Sequence, residues 1–141
     1  MWEVLILSIS PISELRGGIP LGIALGYHPI LVYLIAVASN ILIYFPIRYA
    51  LDKIGDNVLK FPFVERARNR GSRMVKRYGL VGLGLLVGIP LPFTGVYTAT
   101  LASWSLKIEY KKAIVPIAIG VIVAGIIVIS MTLGAVELIW N

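Results

Sequence analysis

The chain has 141 residues, 58% apolar and only 14% charged, with a mean hydropathy of +0.90 and a net charge of +6. A soluble domain carries roughly 45–50% apolar and about 25% charged residues, so this composition excludes a water-soluble globule. It also lacks the polar, heptad or Gly-X-Y character of disorder, coiled coil or collagen, and the absence of cysteine removes disulfides, thiolate metal sites and cysteine nucleophiles.

An all-α integral membrane protein is expected, organised as one membrane domain. Residues 1–50 open with the apolar run Trp2–Ile12, which no basic region precedes, so it does not read as a cleavable signal. Pro11, Glu14, Arg16 and Gly17-Gly18 then interrupt the run before Ile19–Leu25 resumes it. Each piece is about 10 residues long, roughly half a membrane thickness as helix. Ile30–Tyr49 differs. It offers about 20 residues, enough for a hydrocarbon core of about 30 Å, and its one charge, Arg48, sits near the end where it can snorkel.

Residues 51–78 form a basic loop, predicted to be partly helical. Apolar or small residues at 64, 67, 71, 75 and 78 fall near helical spacing. That pattern predicts a helix lying on the cytoplasmic surface against anionic lipid. Nucleic-acid binding does not fit a segment with membrane spans on both sides.

Residues 79–141 repeat the order of the first fifty. Leu80–Ile89 leads to a turn holding Pro90, Pro92 and Gly95, Val96–Leu106 follows, and Ala113–Leu133 is a second full-length span. The broken runs read either as two kinked crossings or as two re-entrant hairpins. Charge placement separates the alternatives, because short cytoplasmic loops collect Lys and Arg. Nine basic residues from Arg48 to Arg77 follow the first span and Lys107, Lys111 and Lys112 precede the second. Re-entrant hairpins put 12 of the 13 on one face, leaving only Arg16, whereas four crossings would split them. The expected architecture is therefore an inverted repeat of hairpin plus span, with both termini outside and loop 51–78 cytoplasmic. Inverted repeats with broken helices meeting near the midplane are a transporter architecture.

Glu14 and Arg16 lie between apolar half-helices, at a depth where ionisable groups are costly and face a bundle interior or a water-filled cavity. One reading is a structural pair that neutralises itself or caps a half-helix. The other is a proton-titrating carboxylate whose pKa is set by burial and a neighbouring guanidinium, with Arg16 recognising an anionic group through its planar fork. Gly17-Gly18 would allow a tight turn or close approach of substrate, and a half-helix starting near Ile19-Pro20 would aim its positive end at the same place. The second turn, Pro90 to Thr98, carries no charge but offers Thr94, Tyr97 and Thr98. Thr94 alone reads as an N-cap; together with the first turn it completes a polar pocket where two hairpin tips meet. Asn40, mid-span, reads as a bond to a neighbouring helix, and His28 as a surface residue. No Ser/His/acid set, paired carboxylates or metal-ligand spacing is present, so neither an enzyme nor a cofactor or metal is predicted.

At Glu14-Leu15-Arg16-Gly17-Gly18-Ile19-Pro20 and Ile89-Pro90-Leu91-Pro92-Phe93-Thr94-Gly95 the chain resembles the small multi-drug export protein family. Its members carry an E-L-R-G-G-I-P element near the N-terminus and an I-P-L-P-G-T-G element after a basic loop, and the likeness covers nearly the whole chain in order. That family is distantly similar to DedA-type membrane proteins, which implies re-entrant hairpins and proton-linked transport or lipid-carrier translocation. By this resemblance Glu14 and Arg16 take the functional acidic and basic positions, and Pro90, Pro92, Thr94 and Gly95 form the partner turn. Phe93 stands where the family usually has Gly, and Ala99 where a Gly commonly follows the Thr, so a bulky ring narrows the pocket. The resemblance implies a transporter of amphipathic or lipid-phosphate substrates, with a phospholipid or polyprenyl-phosphate translocase and a non-transporting assembly factor as alternatives. Two spans enclose little, so a parallel homodimer or larger assembly within membrane lipid is expected. Gly120 and Gly125, with Ala118 and Ala124 alongside, are the small residues that would allow close contact between copies.

Overall fold

The computed structural model describes residues 2–9, 14–88 and 96–140, without the side chains of residues 14–16, 56, 58, 59, 63 and 140. Pro11, Pro90, Pro92, Phe93, Thr94 and Gly95, the centre of both predicted turns, lie outside the described residues. Among the described residues the chain forms seven α-helices and no strand. These are α1 (Trp2–Ile9), α2 (Glu14–Ala24), α3 (Pro29–Ile54), α4 (Pro62–Tyr78), α5 (Val81–Gly88), α6 (Val96–Ser105) and α7 (Tyr110–Trp140), with a 3-10 turn over Gly55–Lys60.

Local chemistry sets the boundaries. His28 is extended and its Nδ1 accepts from the Ile30 amide at 3.3 Å, while Pro29 takes the first helical position, where no amide partner is needed. The lone histidine is an exposed N-cap. Gly55 and Gly79 end α3 and α4 at φ 68° and 70°, left-handed backbone that a Cβ would strain.

α3 and α7 run 26 and 31 residues, about 39 Å and about 46 Å at the α-helical rise, enough to cross a bilayer. Both outrun the predicted limits of Tyr49 and Leu133. Leu31, Leu34, Leu42, Ile119, Ile126 and Met131 are exposed along them. So much outward apolar surface on two long helices suits lipid, not water. α1, α2, α5 and α6 have 8, 11, 8 and 10 residues, about 12–17 Å each, too short to cross alone. The order short, short, long occurs twice, once on each side of α4.

The halves interlock. α1 packs on α2 and α3, and α5 on α6 and α7, but α2 also packs on α7 and α6 on α3. Around the crossing, Ile19, Val32, Ala36, Tyr44, Leu83, Val96, Ile117 and Val121 form a fully buried core. Small residues bring the backbones together. A Cβ at Gly18 would lie 2.1 Å from Ser8 Oγ and 3.0 Å from the Val4 carbonyl, and one at Gly22 would lie 2.7 Å from Val32.

Three expectations are corrected. α2 begins at Glu14 instead of near Ile19-Pro20, so Gly17 and Gly18 are helical and Pro20 sits inside the helix. Gly18 serves the packing of α2 against α1, not a turn. The apolar face of α4 does not lie on lipid: Val64, Ala67 and Gly71 are buried against α6 and its neighbours, and a Cβ at Gly71 would sit 2.0 Å from Ala102 Cβ. Gly120, Gly125 and Ala124 are likewise used within the chain and are not free for a second copy. A Cβ at Gly120 would meet the Gly84 carbonyl at 2.5 Å, and Gly125 is pressed against Tyr33 and Val37.

Candidate functional site

Described residues that flank the two predicted turns are neighbours. Tyr97, in the first turn of α6, donates its phenolic O–H to the carbonyl of Ile9, the last residue of α1. That bond ties the residue before the first turn to one just after the second. Thr98 is buried beside it. Glu14 and Arg16 occupy the first turn of α2, where unpaired amides carry the positive end of the helix dipole. A carboxylate gains from that position; a guanidinium there gains only by meeting an anion. Gly18 is buried, and Gly17 and Pro20 are half-buried on the same helix.

Behind the first tip lies a polar cluster that the sequence signalled only through Asn40. Asn40 is fully buried and donates both amide hydrogens, to the Ser8 carbonyl at 3.0 Å and to the Ala36 carbonyl at 3.0 Å. It thus bridges α3 to α1, the neighbouring-helix bond expected of it. With both hydrogens committed, Asn40 Oδ1 is left as an acceptor. Asn40 Oδ1 and Ser8 Oγ are both buried without a hydrogen-bond partner among the described residues. Ser8 offered no sequence signal beyond a hydroxyl in an apolar run.

A second cluster overturns the snorkelling expectation for Arg48, which is only 6% exposed. Its Nη1 donates to Ser103 Oγ at 2.8 Å, its Nη2 to the Ile108 carbonyl, and its guanidinium lies 5.1 Å from the centre of the Tyr110 ring. Tyr44 donates to the Tyr110 carbonyl at 3.1 Å, and Tyr110 to the Phe45 carbonyl at 3.2 Å. The cation therefore sits at the negative C-terminal end of α6, which the dipole favours. It fastens α3 to the α6–α7 connection, where Lys107 adopts φ 58°.

Between α5 and α7 runs an apolar groove of about 420 Å³, walled by Leu85, Gly88, Pro116, Ile119 and Val123. It reaches Gly88, the last described residue before the second turn.

Over residues 14–127 the chain matches the family described as "Putative small multi-drug export protein". That stretch starts at Glu14 and takes in both tips, the basic segment and most of α7. No curated protein and no solved structure matches the chain.

Proposed function

The chain belongs to the small multi-drug export protein family, and on that premise we propose that it moves an amphipathic or lipid-like substrate across the membrane in a proton-linked cycle. The family name supports a membrane transporter, and the two long apolar helices agree with a membrane location. The bond from Tyr97 to the end of α1 supports the finer reading, because it joins residues that flank the two predicted turns. In this reading Glu14 gains and loses a proton, and Arg16 holds an anionic group or tunes Glu14. Gly17, Gly18 and Pro20 shape the near wall, and Pro90, Pro92, Thr94, Gly95 and Tyr97 the far one.

The groove between α5 and α7 favours a substrate with an apolar tail, hence the lipid-phosphate form of the reading, a phospholipid or polyprenyl-phosphate translocase. The four short helices support a DedA-like inverted repeat of re-entrant hairpins, with termini outside and the 12 clustered basic residues cytoplasmic. A parallel homodimer in membrane lipid shields the tips, since irregular backbone at membrane depth must face protein or water. Its contact face lies elsewhere than Gly120 and Gly125.

Reconstitution into liposomes tests the whole. Uptake of amphipathic cations or flipping of polyprenyl phosphate should depend on an imposed proton gradient and vanish in Glu14→Gln. Arg16→Lys should also be impaired, because an ammonium lacks the bidentate fork. Indifference to the gradient removes the proton link, and movement of neither substrate class favours an assembly factor. A cysteine placed at Ser72 should resist impermeant reagents added to intact cells; labelling from outside rejects the topology.

A further inference from the structure

We propose that Ser8 and Asn40 form part of a binding site for a monovalent cation, sodium, near the middle of the membrane. Its use in coupling rests on the transporter reading above; its existence does not.

The argument starts from hydroxyl behaviour. Ser39, Thr100, Ser103, Ser105 and Thr132 each turn their hydroxyl back onto a carbonyl of their own helix. That is the usual way a helical Ser or Thr satisfies itself in an apolar setting. Ser8 does not. Its Oγ is directed at α2, abutting Gly18, and is fully buried with no partner among the described residues. Asn40 presents a second such oxygen, because its amide hydrogens are both spent on carbonyls. Two lone-pair carriers buried between helices are expensive unless something electropositive meets them.

The surroundings have the same polarity. α1 ends one residue after Ser8, so the negative end of its dipole falls here, and its last carbonyl already draws the Tyr97 hydroxyl. Asn40 lies 11 residues along α3 from Pro29, about 17 Å, close to the centre of a hydrocarbon core of about 30 Å. Half-helix C-termini with hydroxyl and amide oxygens at that depth suit an alkali cation. Hydroxyl and amide oxygens are hard, neutral ligands. A divalent ion would need several carboxylates, and no group of three or more acidic or imidazole residues gathers among the described residues. Glu14 opens α2 one turn before Gly18.

Purified protein in neutral-lipid nanodiscs tests this, with sodium exchanged for potassium or N-methylglucamine at constant ionic strength. Equilibrium binding of radiolabelled sodium should saturate, and sodium should raise the unfolding temperature. Ser8→Ala should raise the half-saturating sodium concentration about tenfold or more, the loss of one well-placed ligand, while Ser39→Ala should leave it unchanged. A wild type with no saturable binding overturns the proposal. So does a Ser8→Ala protein that binds sodium as the wild type does; either result leaves the two oxygens to a buried water. If Ser8→Ala fails to fold, the wild-type isotherm, competed with lithium and potassium, decides alone. Sodium binding without any transport leaves the site standing and removes the transporter reading; transport without sodium binding does the reverse.

Discussion

The two polar clusters on α3 are built to opposite plans. At Asn40 the groups are neutral, the donors are spent, and acceptor oxygens are left over in the centre of the apolar layer. At Arg48, two turns further along, a full positive charge is buried but meets a hydroxyl, a carbonyl, an aromatic face and the C-terminal end of α6. The charged cluster meets fixed parts of the fold through both terminal guanidinium nitrogens, leaving only Arg48 Nε without a partner among the described residues, so its charge is held by the architecture. The neutral one leaves two acceptor oxygens unmet and no charge to offset them, so it invites a ligand. Formal charge alone is a poor guide to where function sits.

The sharpest way to break that contrast is Glu14→Gln, expected to abolish gradient-driven transport while the protein keeps its melting behaviour. Arg48→Met should act the other way. It leaves Ser103 Oγ and the Ile108 carbonyl without their cation and should lower stability by about 2–4 kcal/mol, with sodium binding per folded chain unchanged. A thermal or denaturant melt checks it, and a sodium defect in Arg48→Met would merge the two clusters. Gly18→Ala pushes a methyl to 2.1 Å from Ser8 Oγ, an overpacking of about 1–3 kcal/mol. Because the clash is with the hydroxyl, adding Ser8→Ala should restore part of the loss, a positive coupling in a double-mutant cycle. Additive effects would mean α2 does not sit on Ser8. Tyr97→Phe is the mildest change. It removes one hydrogen bond, about 1 kcal/mol, and should slow transport more than it lowers the melting temperature.

Much of this was legible in the sequence, and the misses share a cause. Length and hydropathy located α3 and α7, and the broken apolar runs located α1, α5 and α6, while α2 begins at Glu14 instead of near Ile19-Pro20. His28-Pro29, Gly55 and Gly79 are boundary signals that need no tertiary contact to read. What pattern reading misjudged was small residues. Gly17-Gly18 read as a turn because glycine is permissive, yet inside α2 the missing Cβ at Gly18 matters for what it admits, the backbone of α1. Gly120 and Gly125 read as a face for a second copy, and Gly71 as part of a face for lipid, because a single helix does not reveal which neighbour fills its groove. Arg48 was misjudged for a related reason. A charge near a span end normally reaches water, and only the fold brings Ser103 and Tyr110 across it.

The interlocking of the halves limits how the molecule can move. In many carriers one repeat rocks as a rigid body against the other. Here α2 leans on α7 while α6 leans on α3, so a rocking motion would have to part both contacts at the same moment. α1 packs on α2 and α3, and α5 on α4, α6 and α7. The hydrogen bond from Tyr97 on α6 to Ile9 on α1 is a further tie between the halves. A rocking motion would therefore have to break this bond along with both helix contacts.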